Sequence, residues 1–236
     1  MSALHSSDPH ALPTSIKVGS GVLLTAVAGF VDAVGFIELG GFFASFMSGA
    51  SISLGVGFSE NDWAAVHRAG LLIGTFVAAA TTSSVASGMM RCWGLPTALF
   101  LEAACLSCAI GMIETGWTPA AAVVPVVAAM GVQNTALRPV AGVRLGVTFM
   151  TGTLVSLSQA LGRSLIFRAR WWDWLPHALI WCCFVAGASG GAALHLQYGF
   201  ISLVAPALVV WAMTAFTVVA VLILLRRRKC HFSQAS

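Results

Sequence analysis

The sequence predicts an all-α polytopic membrane protein, and two observations are enough to predict it. Of 236 residues, 58% are hydrophobic and only 8% are charged, and the apolar residues gather in runs of helix-spanning length. A soluble domain carries about 25% charged residues because it needs a hydrated surface. Here 12 Lys and Arg and 8 Asp and Glu residues cannot clothe a water-soluble particle of this size. The mean hydropathy of +0.90 agrees. Cytosolic enzymes, nucleic-acid readers and disulfide-built secreted domains are excluded, and the lipid bilayer is the first expected partner. The alternation over ten-residue segments that a barrel requires is absent.

The elements follow in order. Residues 1–15 form a polar tail with Pro9 and Pro13, expected to be disordered. The tail has no basic stretch leading into an apolar core, so no cleaved signal peptide is expected. Crossing ~30 Å of hydrocarbon takes about 20 helical residues. Eight apolar segments approach or exceed that length: Ile16–Leu39, Phe42–Phe58, Ala64–Met90, Leu95–Ile113, Ala120–Leu137, Leu145–Phe167, Leu175–Leu196 and Phe200–Leu225. Six are plain spans. The second is diluted by Ser45, Ser48, Gly49, Ser51, Ser53 and Gly55, and the sixth by Thr148, Thr151, Gly152, Thr153, Ser156, Ser158 and Gln159. Glycines and hydroxyls permit close helix approach, and also broken or re-entrant backbone lining a cavity. Residues 226–236 form a basic tail, with Arg226, Arg227, Arg228 and Lys229 at its head.

Charge arithmetic decides between six crossings and eight. If all eight segments cross with the N-terminus inside, nine of the 12 Lys and Arg residues are cytoplasmic and three are external. If the second and sixth segments return to the side they entered, eleven are cytoplasmic and only Arg68 is external. Cytoplasmic loops are enriched in basic residues. The sequence therefore predicts six crossings plus two interrupted or re-entrant segments, with eight spans as the alternative. Both termini fall in the cytoplasm of a bacterial inner membrane.

The two diluted segments also repeat each other. Ser45-Phe46-Met47-Ser48-Gly49 aligns with Thr148-Phe149-Met150-Thr151-Gly152, and upstream Gly29 aligns with Gly131 and Asp32 with Asn134. One transmembrane domain, residues 16–225, is thus expected to consist of two homologous halves, about 16–118 and 119–225. Three crossings per half make the halves inverted across the membrane. Inverted repeats with interrupted helices are the common build of secondary transporters, with substrate at the repeat interface.

Ionisable and amide side chains inside the apolar runs are the candidate site residues. Such groups are costly in a bilayer and usually face the bundle interior. Asp32 is either a titratable or cation-binding carboxylate, or a structural hydrogen-bond partner between helices. Glu102 carries the same two readings, with Arg91 or Arg138 as a conceivable partner. Gln133, Asn134 and Arg138 form an amide and guanidinium cluster at the end of the fifth segment, before Pro139. They suit a polar or anionic substrate, or else a helix end and a topology anchor. Ser48, Gly49, Thr151 and Gly152 are candidates for hydroxyl and backbone ligands, against tight helix packing.

Other polar features read as structure. Cys105 and Cys108 have C-x-x-C spacing but no second pair, and they read as small hydrophobes, as do Cys182 and Cys183. Cys230, beside basic residues, is a weak acylation candidate. His67, His177 and His195 are dispersed without metal-ligand spacing and read as interfacial anchors. Trp171, Trp172 and Trp174 form an aromatic belt, and Gly187, Gly190 and Gly191 pack helices. No nucleotide loop or catalytic constellation is visible, so no enzyme activity, metal or cofactor is expected.

Two separated stretches resemble a known family. They are Ala28-Gly29-Phe30-Val31-Asp32-Ala33-Val34-Gly35-Phe36 with Gly40-Gly41-Phe42 and Phe46-Met47-Ser48-Gly49, and Gly131-Val132-Gln133-Asn134 with Arg138 and Thr148-Phe149-Met150-Thr151-Gly152-Thr153-Leu154. Together they resemble the YoaK-type family of bacterial integral membrane proteins, over about Ile16 to Leu225. The family's first motif commonly ends Met-Thr-Gly-Asn, whereas Ala50 follows Gly49 here. The resemblance implies a six-span inner-membrane protein and brings no activity with it. From the residues, the expected function is a small-molecule permease, proton- or cation-coupled through Asp32 and Glu102. The alternative is a membrane scaffold or accessory subunit whose polar residues only join helices.

Overall fold

The computed structural model describes residues 14–38, 40–90, 93–136, 150–166, 170 and 172–233. Among the described residues the chain is helical and without strands. The helices are α1 (Thr14–Glu38), α2 (Met47–Glu60), α3 (Trp63–Met89), α4 (Gly94–Glu114), α5 (Pro119–Ala136), α6 (Met150–Leu165), α7 (Leu175–Tyr198) and α8 (Val204–Ser233). A 3-10 turn, Gly199–Leu203, joins the last two. The polytopic helical class predicted from composition is the class found.

Among the described residues five stretches are long and apolar enough to cross a membrane: Gly19–Glu38, Trp63–Met89, Gly94–Glu114, Pro119–Ala136 and Leu175–Arg226. The last covers 52 residues and is not one rod. Gly199 has φ of 60°, a left-handed conformation that breaks the helix, so the stretch comprises α7 and α8. By contrast, α2 has 14 residues, about 21 Å at 1.5 Å per residue, and falls short of ~30 Å of hydrocarbon. The residues just before Met150 of α6 lie outside the described ones.

Several boundaries differ from the sequence reading. α1 begins at Thr14, inside the stretch expected to be disordered. α2 begins at Met47 rather than Phe42. α8 continues to Ser233 rather than stopping at Leu225, because arginine and lysine are good helix formers and a helix need not end where lipid does. Arg91, Arg138, Arg144 and Trp171 lie outside the described residues.

α1 is the spine of the bundle. Its Leu24, Val27, Ala28, Val31 and Val34 join Leu99, Ala103 and Leu106 of α4, Val126, Val127 and Met130 of α5, and Ala207, Val210 and Met213 of α8 in one core. Two close crossings flank it. Between α1 and α7, a methyl at Gly29 would collide with the Phe184 carbonyl, one at Gly187 with Ala26, and one at Gly191 with Phe30. Between α5 and α3, a methyl at Gly131 would lie 2.6 Å from the Phe76 carbonyl. Glycine is required wherever backbones approach this closely. In each pair the contacts advance together along both helices, from Ala26–Gly187 to Phe30–Gly191 and from Gly131–Phe76 to Thr135–Ser83. Each pair is therefore parallel.

The connections are locally encoded. Gly40 and Gly41, at φ of 62° and 108°, turn the chain back after α1 in conformations other residues rarely adopt. Asp62 caps α3, its carboxylate accepting from the backbone N–H of Ala64 and Ala65 at 3.1 and 3.0 Å, the usual role of an acidic N-cap.

Candidate functional site

The chain that turns back at Gly40 and Gly41 runs inward along α1 and reaches Asp32. Asp32 is 2% exposed. Its Oδ1 accepts from the Ser45 backbone N–H at 2.8 Å, and its Oδ2 accepts from the Ser45 hydroxyl at 2.5 Å. The carboxylate thus holds the entry of α2 against α1, two turns below the end of that helix. Charge-assisted hydrogen bonds of this kind are the stronger class. These contacts join α1 to the residues that lead into α2.

Glu102 is different. It is fully buried in α4 among Leu99, Ala103 and Leu106, and among the described residues neither carboxylate oxygen has a hydrogen-bond partner. Both conceivable partners from the sequence, Arg91 and Arg138, lie outside the described residues. The α4–α5 hairpin sets its depth. Glu102 lies 12 residues before Glu114 and Gln133 lies 14 after Pro119, about 18 and 21 Å from the connecting turn.

Gln133 is fully buried, and its Nε2 donates to the Leu24 carbonyl at 2.6 Å, tying α5 to α1. Its Oε1 has no partner. Beside it, Asn134 donates from Nδ2 to the Met130 carbonyl at 2.8 Å, and Thr135 donates to the Ser83 hydroxyl at 2.8 Å. Asp32 and Leu24 are eight residues apart on α1, so Asp32 and Gln133 stand about 12 Å apart in depth. They are not brought together.

The glycine and hydroxyl candidates of the interrupted helices face away from the core. Ser48, Thr151 and Gly152 are exposed, and a methyl at Gly49 would meet nothing. Of the hydroxyls in or just before these two helices, Ser45 and Thr153 are the ones buried. Ser45 is the site residue that sequence reasoning passed over. Its only signal was its place at the head of the repeated motif.

The start of α2 and the first described residue of α6 come to the same helix. Phe46, which precedes α2, and Met150 of α6 pack with Ile180 and Phe184 on one face of α7, and the Phe46 and Phe184 rings stand edge to face with centroids 6.0 Å apart. Elsewhere, His195 of α7 lies 3.4 Å from Glu38 at the end of α1, a pairing not foreseen for an interfacial anchor. Cys105, Cys108, Cys182 and Cys183 are free thiols.

Long apolar helices, buried polar groups and a short helix, α2, starting inside the bundle define a polytopic helical membrane protein. The chain belongs to the family described as "Protein of unknown function (DUF1275)", whose model matches residues 20–216. It is 28% identical over 202 residues to "UPF0700 transmembrane protein RA0705" of Rhizobium meliloti (strain 1021), covering 86% of each chain. It is also 28% identical over 160 residues to "UPF0700 transmembrane protein YoaK" of Bacillus subtilis (strain 168), covering 62% of this chain and 68% of that one. The YoaK-type resemblance read from the motifs is therefore a family membership. No solved structure matches the chain.

Proposed function

We propose that this protein is a small-molecule permease of the bacterial cytoplasmic membrane, working by alternating access between two inverted halves. It has six crossings, two re-entrant helices, and both termini in the cytoplasm. One observation carries the reading: the start of α2 and Met150 of α6 lie against the same face of α7, through Phe46, Met150, Ile180 and Phe184. A helix start held inside a bundle exposes backbone N–H groups and hydroxyls where a substrate can reach them.

A ruler built from the contacts supports the six-crossing count. Gln133 lies beside Leu24, and the parallel α5–α3 crossing puts Ala80 of α3 at that level, between the Gly131–Phe76 and Thr135–Ser83 contacts. Trp63 is then about 26 Å from the Leu24 level, and α2 starts about 12 Å from it, beside Asp32. If α3 runs opposite to α1, α2 must climb about 14 Å, within its length of about 21 Å. If α3 runs with α1, α2 must descend about 38 Å, which its 14 residues cannot reach. The halves are supported separately by Gly29 against the Phe184 carbonyl and Gly131 against the Phe76 carbonyl. These two glycines also occupy matching places in the sequence repeat.

Purified protein in liposomes tests the reading. Uptake of one or more solutes from a pool of labelled amino acids, sugars, nucleosides and organic acids, saturable and absent from empty liposomes, is the expected result. No uptake together with a stoichiometric protein partner co-purified from native membranes favours the scaffold instead.

A further inference from the structure

We propose that Glu102 is the proton carrier of this protein and that Asp32 is not. The inference rests on the permease reading and names its coupling ion. The two buried carboxylates of the spanning helices differ in one respect. Asp32 has a donor on each oxygen, from the backbone and side chain of Ser45. Glu102, equally enclosed, has a donor on neither among the described residues. An ionised carboxylate buried without donors or a counter-charge is untenable, because nothing replaces the water it has lost. Such a group holds a proton or a cation.

The surroundings favour the proton. A hard metal cation takes about six oxygen ligands, whereas among the described residues only four buried side-chain oxygens are unpartnered, the two of Glu102, Oε1 of Gln133 and Oγ of Ser202. Among the described residues no three His, Cys, Asp or Glu side chains are grouped as metal ligands. α4 itself brings Cys105, half-buried one turn away, with Cys108 and Glu114 farther along. α5 (Pro119–Ala136) and the 3-10 turn bring no titratable side chain, and α8 brings none before Arg226. The His67 and Arg68 of α3 lie near its opposite end. On α1, Asp32 is already engaged by Ser45 and Glu38 lies near His195. No fixed cation among these holds Glu102 in its ionised form.

The step is simple in its balance. The Glu102 carboxylic acid releases a proton to water when its depth opens to one side, leaving a carboxylate. The carboxylate takes a proton from water on the other side before it is enclosed again. Glu102 can therefore cross the closed state only when neutral, which ties the conformational change to proton movement.

Infrared difference spectroscopy of the full chain in liposomes, recorded against pH, tests the proton site without any substrate. The expected result is a carboxylic-acid C=O band that titrates, disappears in Glu102→Gln and survives in Asp32→Asn. A second measurement guards against misfolding. Glu102→Leu strands no donor and should keep the wild-type thermal unfolding temperature or raise it. An absent band, one that ignores pH, one that survives Glu102→Gln, or a Glu102→Leu chain that unfolds at lower temperature overturns the proposal. With a solute from the uptake pool, Glu102→Gln should lose at least tenfold of the uptake driven by a pH gradient and keep exchange at equal pH. Undiminished gradient-driven uptake also overturns it. If the band behaves as expected but no solute moves, the permease reading falls and the proton site stands.

Discussion

At the scale of single residues, the carboxylate of Asp32 and the hydroxyl of Ser45 are a matched pair. Asp32→Asn retains an acceptor for the Ser45 N–H, and the Ser45 hydroxyl can accept from the new amide. Thermal unfolding in detergent should therefore change little. Asp32→Leu strands the buried Ser45 N–H and hydroxyl, at a cost of about 1–3 kcal/mol for each unsatisfied group, and should lower the unfolding temperature clearly. Equal unfolding temperatures for the Leu and Asn variants would mean that α2 is held in place by something else. The sequence marked Asp32 as important but left two roles open. An aspartate in an apolar run looks the same whether its partner is a proton or a serine thirteen positions on, and only the return of the chain past α1 separates the two.

At the scale of elements, the α1–α7 crossing contains its own control. Gly187 and Gly191 abut the backbone of α1, whereas a methyl at Gly190 would meet open space. Gly187→Ala and Gly191→Ala should each cost about 1–3 kcal/mol through overpacking, while Gly190→Ala should be neutral or slightly stabilising, since alanine is the better helix former. Chemical or thermal unfolding of the three variants ranks them. Gly131→Ala, in the matching α3–α5 crossing, should behave like Gly187→Ala. A harmless Gly131→Ala would break the equivalence of the two crossings. Sequence reading assigned the α7 glycines to packing correctly in kind. It could not tell Gly190 from its neighbours, because the phase of a helix face depends on which helix lies opposite.

At the scale of the whole molecule, six and eight crossings make opposite statements about three turns. With six, single cysteines at Asn61 and Gly116 should react with a membrane-impermeant maleimide from outside intact cells, and one at Met90 should not. With eight, the pattern reverses at all three positions. The charge count and the contact ruler argue for six on unrelated grounds. One uses where basic residues end up relative to the membrane, the other how far a 14-residue helix can reach. The short helices were legible beforehand as stretches diluted in glycine and hydroxyls. Their outward-facing Ser48, Thr151 and Gly152 were not, because dilution marks a segment and says nothing of which side is covered.

The sequence by itself determined the solvent of this protein, its helical class, the position of nearly every helix and its family. Those follow from composition and local periodicity, which neighbouring residues carry between them. Tertiary structure alone decided that Asp32 is paired through Ser45 and that Glu102 has no partner among the described residues. It also decided that Gln133 ties α5 to α1 and that Phe46 and Met150 pack on the same face of α7. Each of these depends on which helix faces which, and at what depth. That choice is made by burial and close packing across the chain, where no local pattern records it.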